Sequence, residues 1–138
     1  MKKERNPMTV GKRKRAVARA VFKKGTGKIR LNKILLENIN PDLMQLKIKE
    51  PLLLVPDVLN KYDVSVKIIG GGTTGQAEAA RQAIARGIVK LSKDSKDVEK
   101  IFDNYNKNLL VTDSRRNEVS KSPASSRGPR RKIQMSKR

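Results

Sequence analysis

The chain contains no cysteine, no histidine and no tryptophan. Without thiols it can hold neither a disulfide framework nor a thiolate metal site, and a zinc site would have to be built from carboxylates alone. The commonest general base and the softest nucleophile are missing too. The acids that remain are scattered through helix starts and loops, so no catalytic set presents itself, although spacing alone leaves a serine, lysine or carboxylate mechanism open. Aromatics are scarce: Phe22, Tyr62, Phe102 and Tyr105 are the whole set, and the local patterns assign each to a core position. A reader of single strands by base stacking needs exposed aromatics, so that class is disfavoured. Long apolar runs are absent as well. Leu52–Val55 is far too short to span a bilayer, and no apolar stretch of signal-peptide length follows the basic start Met1–Arg5. The expectation is a soluble cytoplasmic protein with no membrane partner, no small-molecule substrate, and neither metal nor cofactor.

What is present is positive charge. The 138 residues carry 33 Lys and Arg against 13 Asp and Glu, a formal charge of +20. Its distribution is the informative part. Residues 1–30 hold 12 basic groups and one acid, for +11; residues 31–114 hold 12 and 11, for +1; residues 115–138 hold nine and one, for +8. A nearly neutral middle therefore separates two strongly cationic ends. An ordinary solvated surface mixes its signs, whereas this division calls for a polyanionic partner.

Local patterns divide the chain into a basic lead at 1–8, a globular domain at 9–112 and an extended basic tail at 113–138. Ala16, Ala18, Ala20 and Phe22 alternate with polar residues, the period of a strand running from Thr9 to Phe22. Lys24–Gly27 is a turn signal and Lys28–Asn32 a return strand, which together predict a hairpin. Asn40-Pro41-Asp42 reads as a helix start with Asn40 as cap, and Pro51 restricts that helix at Glu50. A second short helix is expected over Pro51–Asn60, interrupted or restarted at Pro56. Asp63–Ile69 alternates as a strand. Ala77, Ala80, Ile84, Ile88 and Leu91 then fall at helical spacing, with Thr73 and Gln76 resembling a capping box. A shorter helix over Asp97–Tyr105 places Val98, Ile101, Phe102 and Tyr105 together. From Asp113 onward no apolar period survives, and a segment of such composition is expected to be disordered when free.

The segment Gly70-x-Gly72-x-x-Gly75 formally matches a dinucleotide fingerprint between a strand and a helix. The fingerprint also needs a second strand ending in an acid about 20 residues on, and here that region is Leu91–Asp94, a helix end. As a phosphate loop it fails where the chemistry sits, because Gln76 and Ala77 replace the Lys and the Ser or Thr. What survives is that glycines admit close approach of a phosphate, and that a helix N-terminus offers free N–H groups. Gly71 and Gly72 are thus candidates for contact with a nucleic-acid backbone. The run Gly11–Arg15 supplies Lys12, Arg13, Lys14 and Arg15 within a strand pattern, as a rigid phosphate-gripping edge would. Arg81 and Arg86 could serve the same purpose or pair with Glu78 and its neighbours.

These residues occur in an order that resembles the ninth protein of the small ribosomal subunit. The similarity runs from Val10 to Arg138. It rests on Gly11–Lys14, Lys28–Arg30, Val66–Gly72, Gly75–Arg81, Ala85-Arg86, Asp113–Arg116 and Ser136–Arg138. Glu50–Leu54 and Gln76–Arg81 resemble the archaeal and eukaryotic branch. The resemblance implies an α+β fold, a small sheet packed by helices with a left-handed βαβ crossover, like the second domain of ribosomal protein five. It implies ribosomal RNA of the subunit head as partner, alongside neighbouring ribosomal proteins, with a tail reaching the peptidyl-site transfer RNA. Carried onto this chain, Lys12–Arg15, Gly71, Gly72, Arg86, Arg115, Arg116, Arg127, Arg130, Arg131 and Lys132 would contact ribosomal RNA. Lys137 and Arg138 would touch transfer RNA. Position 15 is often Thr in that family and is Arg here, so the contact at that point differs. Two other readings predict different features. A DNA-binding regulator needs a recognition helix rich in base-reading side chains, and the helix after Gly75 is dominated by Ala and Ile. A nucleotide-dependent enzyme needs saturable nucleotide binding at Gly70–Gly75.

Overall fold

A computed structural model describes residues 6–117. Five strands form one mixed sheet: β1 (Met8–Arg13), β2 (Ala16–Lys24), β3 (Ile29–Leu31), β4 (Ile34–Leu35) and β5 (Tyr62–Ile69), in the order β1-β2-β5-β3-β4. Among the described residues four α-helices accompany them: α1 (Asp42–Leu54), α2 (Pro56–Leu59), α3 (Thr73–Leu91) and α4 (Ser95–Asn106). The architecture is α+β, as expected. Asn6 and Pro7 lead straight into the sheet, and the Pro7 carbonyl accepts the Phe22 N–H at 3.0 Å.

Small residues set how closely sheet and helix approach. Ala16, Ala18 and Ala20 of β2 are wholly buried, as are Ala77, Ala79, Ala80 and Ala83 of α3. On β1, a side chain at Gly11 would run into the backbone of Ala79 and Ala83. Phe22, Val64, Val66, Ile29 and Leu31 complete the sheet's inner face. Ile84 and Ile88 of α3, Met44 and Ile48 of α1, and Val98 and Phe102 of α4 supply the larger side chains above it. Burying each such residue is worth about 1.5–3 kcal/mol relative to exposure.

The strand pairing differs from the expected hairpin. Thr9–Phe22 is not one strand: it folds back at Lys14-Arg15, so β1 and β2 pair antiparallel, with Gly11 opposite Ala18. The segment after the Lys24–Gly27 turn does not return along β2. β3 runs parallel to β5, and β2 pairs with the other side of β5. Asp63 of β5 holds that turn, accepting the N–H groups of Thr26 (2.8 Å) and Lys28 (3.0 Å). The turn thus delivers the chain past β5 rather than back onto β2. The crossover from β3 to β5 passes through α1.

Helix boundaries also shift. Pro41 lies extended at the start of α1 and Asn40 caps nothing. Pro51 sits within α1 and is fully buried, so contact with the core offsets its missing N–H and the helix runs on to Leu54. Gly72, not Thr73, flanks the start of α3, and the Gln76 amide donates to the Gly70 carbonyl at 3.2 Å instead of closing a capping box. In α4 Val98 and Phe102 are buried, but Ile101 and Tyr105 face solvent; two apolar positions one turn apart suffice to dock a helix at the domain's edge.

Helices cover one face of the sheet, and the other stays open. Because successive strand residues point to opposite sides, the open face carries Lys12 from β1, Arg19 and Lys23 from β2, Lys67 from β5 and Arg30 from β3, all exposed.

Candidate nucleic-acid interface

The run Lys12–Arg15 divides between strand and turn. Lys12 and Arg13 end β1; Lys14 and Arg15 form the bend, with Lys14 at φ 51°, a conformation uncommon for a side chain of that size. Lys12, Lys14 and Arg15 are exposed. The glycines lie beside this bend. Gly70 (φ 74°) and Gly71 (φ 73°) are left-handed, and side chains there would meet the Arg15 carbonyl and Ala16 respectively. Gly72 has open space where a Cβ would project. Arg13, Lys14 and Gly71–Gly75 together line a cleft of about 230 Å³ at the start of α3. The first turn of α3 has no side-chain cap and no acid, so its N–H groups and positive dipole end face this cationic cleft.

The guanidinium groups of Arg13 and Arg86 are occupied differently. Arg13 Nε donates to Glu78 at 2.6 Å, and another of its nitrogens pairs with Asp113. Arg86 donates to the carbonyls of Val10 (2.6 Å) and Leu110 (2.9 and 2.7 Å) and to the Thr112 hydroxyl (2.9 Å). The Gln82 side chain, 4% exposed, accepts the Lys12 N–H at 2.9 Å and donates to the Val111 carbonyl at 2.8 Å. Arg86 and Gln82 thereby satisfy β1 backbone groups facing away from β2 and stitch residues 110–112 to the same edge. Lys47 joins through Glu78 at 3.5 Å, and Arg81 pairs with Glu50 across α1 and α3. The open question about Arg81 and Arg86 thus divides: Arg81 makes an ion pair, whereas Arg86 binds main chain.

Asp113 is the hinge of the network. It accepts the backbone N–H of Arg115 at 2.9 Å and the Arg115 guanidinium at 2.6 Å, while Arg13 holds it from the other side. Sequence reading missed Glu78, Gln82 and Asp113 as parts of one site. The available signal was Asp113-Ser-Arg-Arg116, an acid heading a basic run. Arg116 is exposed. Arg127, Arg130, Arg131, Lys132, Lys137 and Arg138 lie outside the described residues.

Three carboxylates sit below their ordinary pKa values. The Arg115 side-chain and backbone hydrogen bonds, aided by the charges of Arg115 and Arg13, hold Asp113 far down. Backbone N–H groups of Lys28 and Thr26 lower Asp63. Burial pushes Glu78 upward, but the hydrogen bond and charge of Arg13, then Lys47, outweigh it. A depressed carboxylate stabilises the fold fully above its unfolded pKa of about 4, and that contribution fades as pH falls toward the folded value. Thermal midpoints should therefore drop progressively from about pH 5 downward. Asp63→Asn and Asp113→Asn should each lower the midpoint at pH 7 and flatten its acid dependence. Parallel curves for variant and parent between pH 7 and 2 would contradict this.

No described helix is long and apolar enough to cross a membrane, and no cluster of potential metal-ligating side chains occurs among the described residues. A small α+β domain whose part-buried Arg13 and Asp113 fasten the start of a cationic segment has the build of a structural protein. Residues 11–138 match the family model described as Ribosomal protein S9/S16. The chain is 42% identical over 130 residues to the Methanococcus vannielii protein named small ribosomal subunit protein uS9, covering 94% of this chain and 96% of that one. Proteins of the same name from two strains of Methanococcus maripaludis are 43% and 44% identical over the same shares. The chain belongs to the ribosomal protein S9/S16 family, and with it to the structural proteins of the small ribosomal subunit rather than to the enzymes.

Proposed function

We propose that this protein binds ribosomal RNA in the head of the small subunit and extends its tail toward the peptidyl-site transfer RNA. The observation that carries the reading is the charge division: +11 and +8 at the two ends around a domain of +1. Ends of that kind neutralise phosphates and release counterions, which gives affinity without reading sequence. Lys14, Gly71 and Gly72 line the domain's phosphate-facing cleft, exposed Lys12 and Arg15 flank it at the end of β1 and in the bend, and Arg116 begins the tail's contribution. Arg13, Arg86 and Arg115 act first as fasteners and meet RNA with whatever donors those bonds leave. Arg127, Arg130, Arg131 and Lys132 line the tail's path, with Lys137 and Arg138 at the transfer RNA. Neighbouring ribosomal proteins complete the surroundings, in the cytoplasm. The β3–β5 crossover takes the left-handed sense of the family.

The test is sedimentation. The protein should travel with small subunits in a gradient and leave only at high salt, and it should prefer small-subunit ribosomal RNA to duplex DNA at matched salt. Equal affinity for the two nucleic acids would remove the ribosomal-RNA reading. Deleting Ser136–Arg138 should spare incorporation but weaken retention of transfer RNA; failed incorporation would show the tip to be architectural.

A further inference from the structure

We propose that the open face of the sheet is a second RNA-backbone surface, centred on Arg19 and Lys67. The inference deepens the ribosomal-RNA reading above and rests on it. Register supplies the first observation. Arg19 of β2 stands directly opposite Lys67 of β5 on the uncovered side of the sheet. Like charges placed directly across antiparallel strands repel, and a sheet selected for stability alone would put opposite signs or a neutral pair there.

The surroundings do nothing to relieve the repulsion. In the same rows lie Val10, opposite Arg19, and Ser65, opposite both Val21 and Arg30. Lys12 is one row along, opposite Val17, and Lys23 lies at the other end of β2. Among the described residues the one acid on the face is Asp63, across from Lys23, and its carboxylate is already committed to the N–H groups of Thr26 and Lys28. Among the described residues, none of Lys12, Arg19, Lys23, Arg30 and Lys67 takes part in an ion pair. On the covered side of the sheet, Arg13, Lys47 and Arg81 are each matched to an acid. A like-charge pair fixed by register, with the neighbouring acid already committed, leaves the missing charge to an outside anion.

Chemistry and shape narrow the occupant to a phosphate backbone. The cations stand on several adjacent strands, and neighbouring strands are spaced about 4.8 Å apart. Such an array suits a run of phosphates rather than one small anion. The floor between them is made of half-buried Val10, Val17 and Val21, with no aromatic on which a base could stack, so contact would be through the backbone and insensitive to sequence. Lys12 joins this face to the Lys14-Arg15 bend and the cleft at α3, making one cationic surface that continues around the sheet's end.

The experiment is the full-length double variant Arg19→Gln/Lys67→Gln, titrated with small-subunit ribosomal RNA transcribed in vitro across a range of salt. Removing two phosphate contacts should reduce the slope of log affinity against log salt by about 1.4–1.8. The thermal midpoint of the free protein should stay level or rise, because a repulsion has been removed. A second variant, Lys96→Gln/Lys100→Gln on α4, controls for loss of two charges anywhere. If the parent fails to bind the RNA, the ribosomal-RNA reading itself fails. If the parent binds and the Arg19/Lys67 variant keeps the parental slope, or loses no more than the α4 variant, the sheet face is not an RNA surface. A lower midpoint in the Arg19/Lys67 variant would also overturn the inference, since the pair would then be serving the fold.

Discussion

Truncation after Asn117 should leave a folded domain that has lost a large share of the salt dependence of its RNA binding. Among the described residues the last fully buried one is Leu109, and the bonds fastening the chain's exit end at Asp113 and Arg115. Nothing the described core relies on is removed. The deleted segment, residues 118–138, holds seven basic residues and one acid. If each cation neutralises one phosphate, the slope of log affinity against log salt should fall by about 5, at roughly 0.7 per contact on unpaired strands and more on duplex. At physiological salt this is a loss of several decades, the largest effect expected of any change considered. The thermal midpoint should barely move. Retained affinity with an unchanged slope would mean that the domain alone supplies the grip.

The second large effect concerns packing. A methyl group added at Gly87 of α3 would overlap the ring of Phe22, and Phe22 is wholly buried, so its ring has nowhere to move. Alanine is the better helix former by about 1 kcal/mol, yet overpacking a closed core costs about 1–3 kcal/mol and should prevail. Phe22→Ala errs in the opposite direction, opening a cavity at about 3–5 kcal/mol. Each kilocalorie lowers the midpoint of a domain this size by about 4 °C or more. Combining Gly87→Ala with Phe22→Leu should be less damaging than the two single changes added together, with a coupling of about 0.5–3 kcal/mol. Denaturant melts of the four proteins measure this, and strict additivity would show that the ring and the glycine do not share space.

Both predictions depend on parts of the molecule that were unequally visible in the sequence. The segments Val64–Ile68 and Ala77–Ile88 declared themselves, because a period of two or 3.6 is imposed by one buried face and survives any tertiary arrangement. Strand partners were hidden. Gly25 and Gly27 advertise a turn, whereas the bend that matters most is made by Lys14, whose left-handed backbone has no composition signal. The visible turn consequently suggested a hairpin that β5 interrupts. Tyr105 sits at helical spacing from Phe102 yet stays exposed, because α4 lies at the edge and needs only a narrow contact.

The candidate site shows the same division. Its cations could be counted, but their employment could not. Arg13 meets Glu78 and Asp113 across 65 and 100 residues of chain, and Arg86 bonds to carbonyls 24 and 76 positions away. Separation of that order leaves no local trace. The open sheet face was equally hidden, since Arg19 and Lys67 become neighbours only once β2 and β5 are aligned. Sequence therefore suggested the class of partner proposed above, and register showed which cations stand together on one face.

The anchorage around Asp113 has a geometric corollary. With residues 110–113 moored to β1 and α3, the chain leaves the domain from one fixed point. Twenty-one residues follow Asn117, and a peptide of that length spans at most about 70 Å. Whatever Arg138 touches must lie inside that radius, so where the domain seats decides which molecules the final arginine can ever meet.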